Sequence, residues 1–417
     1  MVQHHREAPR LAYLLSQYPK LSEAFIIREI RGLRALGFHI DVASVNAPDR
    51  GADGLTAEEV EERERTYYVK RHGLRGALPA HLRTLLGRPG AYLRGWRAVL
   101  RHGGLDLRAL FYHLMYFTEA LMVGVWLAER GQRHVHAHFG MQASTVGLYV
   151  KRVFGTGLSI TVHGPDVFYA VERYLLADKV READFIATIS HYARSQLMRV
   201  SPHRHWHKLV VSRLGVDPQR FAPRPFRAAP EVFEVICVGR LTPAKGQHVL
   251  VEAVHRLVGE GRRLRLRLVG DGEDRASLER QVAELGLTEQ VVFEGAVNQD
   301  RIRDLYAAAD AFAIPSFAEG IPVVLMEAMA MEIPCVTTWI TGVPELIRNG
   351  VDGLLVAPGD GDALAAALAR LMDDPGLRQR LGQSGRQRVL AEYDLGRNVA
   401  RLGEIFRARL VSGENGS

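Results

Sequence analysis

Short apolar runs recur from one end of the chain to the other, and they alternate with stretches of helical spacing. Residues 11–15, 160–162, 185–190, 208–212, 232–238, 264–269, 291–293, 311–315 and 353–356 have the length and composition of buried strands. Residues 38–45 and 135–139 alternate between apolar and polar positions, as half-buried strands do. Helices are predicted over 22–36, 247–258, 301–308 and 364–372, with a last helix over 398–410. Strand following helix in this way predicts parallel, doubly wound α/β sheets.

At 417 residues the chain suits two such domains better than one. The expected boundaries are 1–215 and 216–394, with Arg213-Leu214-Gly215-Val216-Asp217 and the proline-rich stretch from Phe221 as linker. Hydrophobic residues make up 47% and charged residues 24%, ordinary values for a globular protein. The two cysteines, Cys237 and Cys335, both fall in apolar strands, which suits core thiols of a reducing compartment better than a disulfide or a metal site. No apolar run reads as long enough to span a bilayer, residues 111–130 being a core helix, and the start MVQHHREAPR is not a signal peptide. A cytoplasmic protein is expected. The tail SGENGS reads as disordered.

Charge changes this picture in one region. The formal net charge is +7, and residues 70–108 hold nine Lys or Arg against one acid, Asp106. Leu82, Leu85, Leu86, Tyr92, Leu93, Trp96 and Leu100 are interleaved with them. Helices lying on an anionic membrane surface have this composition, so a basic insertion over about 70–130 peripheral to the inner face of the cytoplasmic membrane is one reading. A solvated insertion that packs on its domain is the other. Nucleic acid is disfavoured, because no nucleic-acid module accompanies the charge. The acidic segment 58–64 reads as a surface helix, and Ser22 as the N-cap of the first helix.

Candidate chemistry concentrates in FAIPSFAEGIPVVLMEAMAMEIPCVTTWITGVPE, residues 312–345. A strand leads through Ser316–Gly320 to a helix whose first position reads as Pro322, where a missing N–H is harmless. The early amides, with Gly320 and Ile321 before them, outline an anion site at the positive end of that helix. Glu319 and Glu327 would repel an anion, so they should accept from hydroxyl groups, and a nucleotide sugar would satisfy both features. A surface loop Glu and a Glu favoured by the dipole near the helix N-terminus would look the same. A second anion site is suggested by Gly239-Arg240-Leu241-Thr242-Pro243-Ala244-Lys245-Gly246. A cation at a helix start is disfavoured by several tenths of a kcal/mol, which makes sense if Arg240 and Lys245 hold a dianion. Gly270 ends the next strand, where a small residue could admit a base or ribose. His163 projects from the carboxyl end of a strand, where α/β sheets bind ligands. His134, His136 and His138 share one strand face, but no further ligands are evident in their neighbourhood and no metal is expected. Asp360-Gly361-Asp362 reads as a turn in which Asp362 caps a helix.

The pattern Ser316-Phe-x-Glu319-Gly320-x-Pro322, then Glu327-Ala-Met-Ala, Pro334-Cys-Val and Gly342-Val-Pro-Glu-Leu-Ile, resembles the E-x7-E signature of retaining GT-B glycosyltransferases of family 4. Aromatic-Pro-x-x-Ser-Glu-x-Phe-Ile over 18–26 resembles the subset that builds exopolysaccharides such as colanic acid, although the glycine-rich loop common there is replaced by Gln17 to Glu23. The resemblance implies two Rossmann-like doubly wound domains with a cleft between them, the second binding the donor, and a final segment, 395–417, whose helix crosses back to the first. It further implies that Gly239, Arg240 and Lys245 clamp a diphosphate and that Gly270 lies near the nucleotide. Glu327 would accept from the ribose and Glu319 from the donor sugar, beside the Gly320 and Ile321 amides, with His163 contacting sugar or phosphate. No cofactor or metal is implied. The acceptor would be a lipid-linked saccharide. Two other classes stay open: a nucleotide-sugar epimerase of this fold, and a non-catalytic nucleotide-sugar-binding subunit.

Overall fold

The apolar runs are buried because each becomes a parallel strand covered by helices, a setting that favours continuous rather than alternating hydrophobicity. The structure, a computed structural model, describes residues 8–51 and 54–411. The tail SGENGS lies outside the described residues. The chain divides into two units. One runs to Ile189, resumes over Ala193–Ser212 and takes in the chain from Val399; the other holds Ser190–Tyr192 and Arg213–Asn398.

The first unit carries β1 (Arg10–Gln17), β2 (His39–Asn46), β3 (Thr66–Tyr68), β4 (His134–His138), β5 (Gly157–Val162), β6 (Phe185–Thr188) and β7 (Leu209–Val211). They form a parallel sheet in the order β3-β2-β1-β4-β5-β6-β7. The second unit carries β8 (Phe233–Val238), β9 (Leu264–Val269), β10 (Val291–Gly295), β11 (Ala311–Ile314), β12 (Cys335–Thr338) and β13 (Leu354–Val356), ordered β10-β9-β8-β11-β12-β13 and again parallel. Strand order reverses between β1 and β4 in one sheet and between β8 and β11 in the other. Loops leaving the carboxyl ends at such a reversal diverge, one to each face, and open a crevice there.

Several local expectations are corrected. β3 was not foreseen, since three residues carry no readable period. The acidic helix Ala57–Arg65 is not a plain surface element. Glu59 closes a capping box with Thr56, and the buried Glu62 pairs with Arg34 and accepts from the Tyr18 hydroxyl at 2.9 Å. Ser22 does not cap. It lies within a short 3-10 turn, Leu21–Glu23, and helix Ala24–Ala35 begins behind Glu23 without a side-chain cap bond. At the other end of the chain Asp360, not Asp362, caps its helix by accepting from the Ala363 amide at 2.8 Å, while Asp362 pairs with Arg256. Pro322 is the N-cap of helix Val323–Ala330 rather than its first residue.

The apolar helix is longer than its pattern suggested. It spans Leu107–Glu129, starting where the Asp106 carboxylate accepts from the Arg108 and Ala109 amides. By length and composition it could cross a membrane, which overturns the expectation that no run is long enough. Its inner face nevertheless packs as core against helices Val69–Gly87, Pro89–Gly103 and Gln142–Phe154. Gly95 makes room for the Phe117 ring and Gly124 for Phe154; a Cβ at either position would collide with the ring. Tyr92 and Trp96 turn inward as well, with ring centroids 5.6 and 5.7 Å from Phe117. Leu74, Leu82, Leu86, Leu93 and Leu100 remain exposed.

Cys237 and Cys335 are buried free thiols, and burial pushes Cys237 up to about 12. The last helix, Leu395–Val411, belongs to the first unit from Val399 onward. Its fully buried Phe406 meets Phe38, His136 and Phe185 at 6.2, 5.0 and 5.6 Å.

Candidate active site

In the second unit β8 and β11 are neighbours, so the loops that follow them are brought side by side. The Phe317 amide donates to the Ala244 carbonyl at 2.8 Å, stitching one loop to the other. On the far side the Thr338 hydroxyl donates to the Ser316 carbonyl at 2.5 Å, and the Thr341 hydroxyl to the Glu319 carbonyl. Gly246 sits at φ +66 beside the Pro315 carbonyl, where any Cβ would collide. That close approach lets helix Gln247–Gly259 start directly behind Lys245.

Lys245 and Glu319 form an ion pair across these loops, and the Ser316 hydroxyl donates to the same carboxylate oxygen at 2.9 Å. The disfavoured cation at the helix start is therefore balanced by a carboxylate from the second loop. Arg240 differs: it is exposed, and among the described residues no carboxylate pairs with its guanidinium. Its carbonyl accepts from the Gln247 side chain at 2.9 Å, which fixes the backbone and leaves the side chain free to reach a ligand. Gly239 is half-buried, with the Lys245 stem 3.7 Å from where its Cβ would be.

Gly270 is explained by the protein's own backbone. Its φ is +135, and a Cβ would collide with the Gly239 carbonyl, so the glycine lets the β9 turn lie on the Gly239–Arg240 segment. Ile321 is buried and Gly320 half-buried at the end of the second loop. Glu327 lies one helical turn further on, buried, and accepts from the Tyr306 hydroxyl at 3.2 Å. Burial, then the Glu327 charge, pushes the Tyr306 hydroxyl well above its ordinary range, so it stays a donor. Gly239, Arg240, Lys245, Gly270, Glu319, Gly320, Ile321 and Glu327 are thus gathered on the β8, β9 and β11 loops and the helix after them. Tyr306 was missed; an aromatic in a short polar helix gives no signal of its own.

His163 belongs to the first unit, just beyond β5. It is buried, with Nε2 2.8 Å from His138 Nδ1, and His138 Nε2 lies 3.2 Å from Glu29 Oε1. The view that the β4 histidines lack further ligands is corrected here. Ligand atoms of Glu29, His136 and His138 lie within 4.8 Å of one another. Each histidine nitrogen in that group already has a partner, however: Ser159 and Thr161 engage His136 at 2.8 and 3.0 Å. This is a hydrogen-bonded network in which both ring nitrogens of His136 and of His138 are engaged. Burial first, then neighbouring histidine charge, holds His136 and His163 well below the ordinary imidazole value. Glu29 was overlooked in the sequence. A carboxylate inside the buried stripe of Ile26, Ile27, Ile30 and Leu33 was the available signal.

The family model described as "Glycosyl transferases group 1" matches residues 219–388, the stretch that contains all of these second-unit groups. The Escherichia coli K12 protein named "Putative colanic acid biosynthesis glycosyltransferase WcaL" is 30% identical over 381 residues, covering 86% of this chain and 90% of its own. The amylovoran biosynthesis glycosyltransferase AmsK of Erwinia amylovora is 25% identical over 420 residues, covering 95% and 99%. Among solved structures, a sucrose-phosphate synthase from Thermosynechococcus elongatus superposes with a TM-score of 0.77 at 21% identity, over 97% of this chain and 100% of that one. Anabaena HepE in complex with UDP-glucose gives 0.71 at 19%, over 97% and 99%. At those identities the structural likeness speaks for the fold, and with the two parallel sheets it makes the fold GT-B. The chain belongs to the glycosyl transferases group 1 family, and it is a glycosyltransferase.

Proposed function

We propose that the enzyme moves a sugar from a nucleoside-diphosphate sugar to a saccharide acceptor, with retention at the anomeric carbon, in the assembly of an exopolysaccharide or related surface polysaccharide. The observation that carries this reading is the group formed by Lys245, Glu319 and Arg240, whose guanidinium has no carboxylate partner among the described residues, where strand order reverses in the second sheet. Arg240 and Lys245 bind the diphosphate and stabilise the charge that develops as it leaves. Glu319 exchanges part of its contact with Lys245 for hydroxyls of the donor sugar, beside the Gly320 and Ile321 amides, and Glu327 accepts from the ribose. His163 accepts from a saccharide hydroxyl. The acceptor oxygen bonds to the anomeric carbon on the face the phosphate leaves, and its proton passes to the departing phosphate oxygen. Two fixed cations supply the positive charge, so no metal is required. The names of the Escherichia coli and Erwinia relatives support a place in exopolysaccharide synthesis, and the UDP-glucose held by the Anabaena protein supports a nucleotide-sugar donor.

The acceptor is proposed to be lipid-linked and met at the inner face of the cytoplasmic membrane. Exposed Leu74, Leu82, Leu86 and Leu93 beside exposed Arg75, Arg94 and Arg97 support this, since apolar and basic side chains together suit an anionic lipid surface. The test is incubation with a panel of labelled nucleotide sugars and a lipid-linked saccharide. Free nucleoside diphosphate together with labelled acceptor is expected. An epimerised donor, or binding without turnover, would overturn the reading.

A further inference from the structure

The buried polar chain of the first unit has a direction. Tyr13 and His138 both meet the same oxygen of Glu29, at 2.7 and 3.2 Å. Burial, then the Glu29 charge, pushes the Tyr13 hydroxyl well above its ordinary range, so the phenol keeps its proton and donates. A carboxylate can only accept, so His138 donates from Nε2. Taking His138 as an uncharged ring that donates to Glu29 from Nε2, its Nδ1 accepts, and the 2.8 Å contact is then the Nε2–H of His163 donating to it. His163 Nδ1 is then a lone pair, and among Tyr13, Glu29, His138 and His163 it is a buried atom with no hydrogen-bond partner within the described residues.

The ring plane is held as firmly as the tautomer. Phe25 and Phe139 flank His163 with centroids 5.0 and 4.7 Å away. Phe139 does so from a φ of +66, an uncommon conformation for a bulky residue, kept in place by the hydrogen bond its N–H donates to the Thr161 carbonyl at 2.8 Å. Strain of this kind persists only where the surroundings hold it, and it clusters at functional sites.

We infer that Glu29 and His138 are positioning residues that hold His163 in the Nε2–H form, presenting Nδ1 as an acceptor for a saccharide hydroxyl. This deepens the proposed function and rests on its reading of His163 as a saccharide contact. An unpartnered buried acceptor costs free energy until a donor arrives, which favours binding of a hydroxyl over anything unable to donate. A ring fixed as the other tautomer would present an N–H instead and would repel the same hydroxyl hydrogen.

The full-length protein labelled with ¹⁵N-histidine tests this by NMR near neutral pH, with the His163 signals identified by their loss in His163→Asn. A protonated Nε2 and an unprotonated Nδ1 are expected; a protonated Nδ1 would overturn the inference. Among variants, His138→Leu removes the acceptor for Nε2–H and should lower kcat about tenfold, the wrong tautomer being costly even where geometry survives. His138→Asn can offer a carbonyl oxygen close to the old Nδ1 position and should recover several-fold of that loss. Equal rates for the folded Leu variant and the parent would sink the positioning role. If the tautomer is as expected but His163→Ala turns over normally, the saccharide-contact reading fails instead.

Discussion

Lys245, on the turn after β8, is ion-paired with Glu319, on the loop after β11, so one salt bridge spans the point where the second sheet reverses its strand order. Both side chains are largely buried, at 18% and 11% exposure, and the pair is therefore less screened than a surface bridge. An arriving diphosphate competes with Glu319 for the Lys245 ammonium. Lys245→Ala should cost on the order of 2–3 kcal/mol of kcat/KM, the worth of a charge-assisted contact aimed at the leaving group. Arg240→Ala should cost a similar amount. Because both act on one group, the double variant should lose clearly less than the two losses added together. Steady-state kinetics on the four proteins checks this, and near-parental turnover in both single variants would remove the diphosphate from this site.

Chelation should leave the rate unchanged. On the proposed mechanism Arg240 and Lys245 supply the positive charge that a metal ion would otherwise bring to the diphosphate. Assays with and without EDTA, each with added manganese, test the point; a rate lost to EDTA and restored by manganese contradicts it.

Vesicle binding should depend on lipid charge. Each basic side chain near an anionic surface contributes about 1 kcal/mol, decaying over a Debye length of roughly 10 Å. Arg101 is a poor probe, since it is tied to Asp178 at 3.2 Å and its loss would touch the fold. Arg75, Arg94 and Arg97 have no carboxylate partner among the described residues, and changing all three to Gln should weaken co-sedimentation with anionic vesicles and slow transfer to a lipid-linked acceptor. Hydrolysis of the donor by water should change little. Equal binding to neutral and anionic vesicles would make these helices a packed decoration only.

Acid should loosen the protein before its carboxylates titrate. Burial lowers His134 from 6.5 to about 4, against a smaller opposing effect of Asp184 and with Lys151 adding to the lowering. Above the ordinary value the ring is neutral whether folded or not, and it contributes no pH dependence. As pH falls below that value the unfolded chain takes up a proton that the folded one refuses, so stability declines toward the folded value. By about pH 5 this should cost roughly 2 kcal/mol from His134 alone. His102, His136 and His163 are lowered in the same direction. Urea midpoints measured from neutral pH down to about pH 5 should fall steadily, and less steeply in a folded His134→Asn variant. A flat profile would mean the histidines are not buried as neutral rings.

Much of this was legible from one dimension because the signals are local. An apolar run of strand length followed by a helical period declares a βα unit whatever its neighbours are, and most strands of the two parallel sheets follow from repeating that unit. The loop chemistry is local too. Gly239 to Gly246 and Ser316 to Glu327 carry their glycines, cations and carboxylates within single turns, so their residue types could be read before their positions were known. Short or polar elements escaped: β3 has too few residues for a period, and Glu62 looked solvated because its partners, Tyr18 and Arg34, are distant in sequence.

Partnership was decided only by the tertiary structure. Nothing along the chain says that Lys245 meets Glu319, because that contact exists only when β8 and β11 become neighbours while β9 and β10 go the other way. Nor does any local pattern join Tyr13, Glu29, His138 and His163, which lie on two strands, one helix and one turn. The alternation of His134, His136 and His138 showed a shared face; which atoms their nitrogens would find there depended on Ser159 and Thr161 arriving on β5. Period and residue type are properties of consecutive residues and survive in the sequence. Hydrogen-bond partners and burial depend on which strands pair, and pairing is settled by packing the whole unit at once.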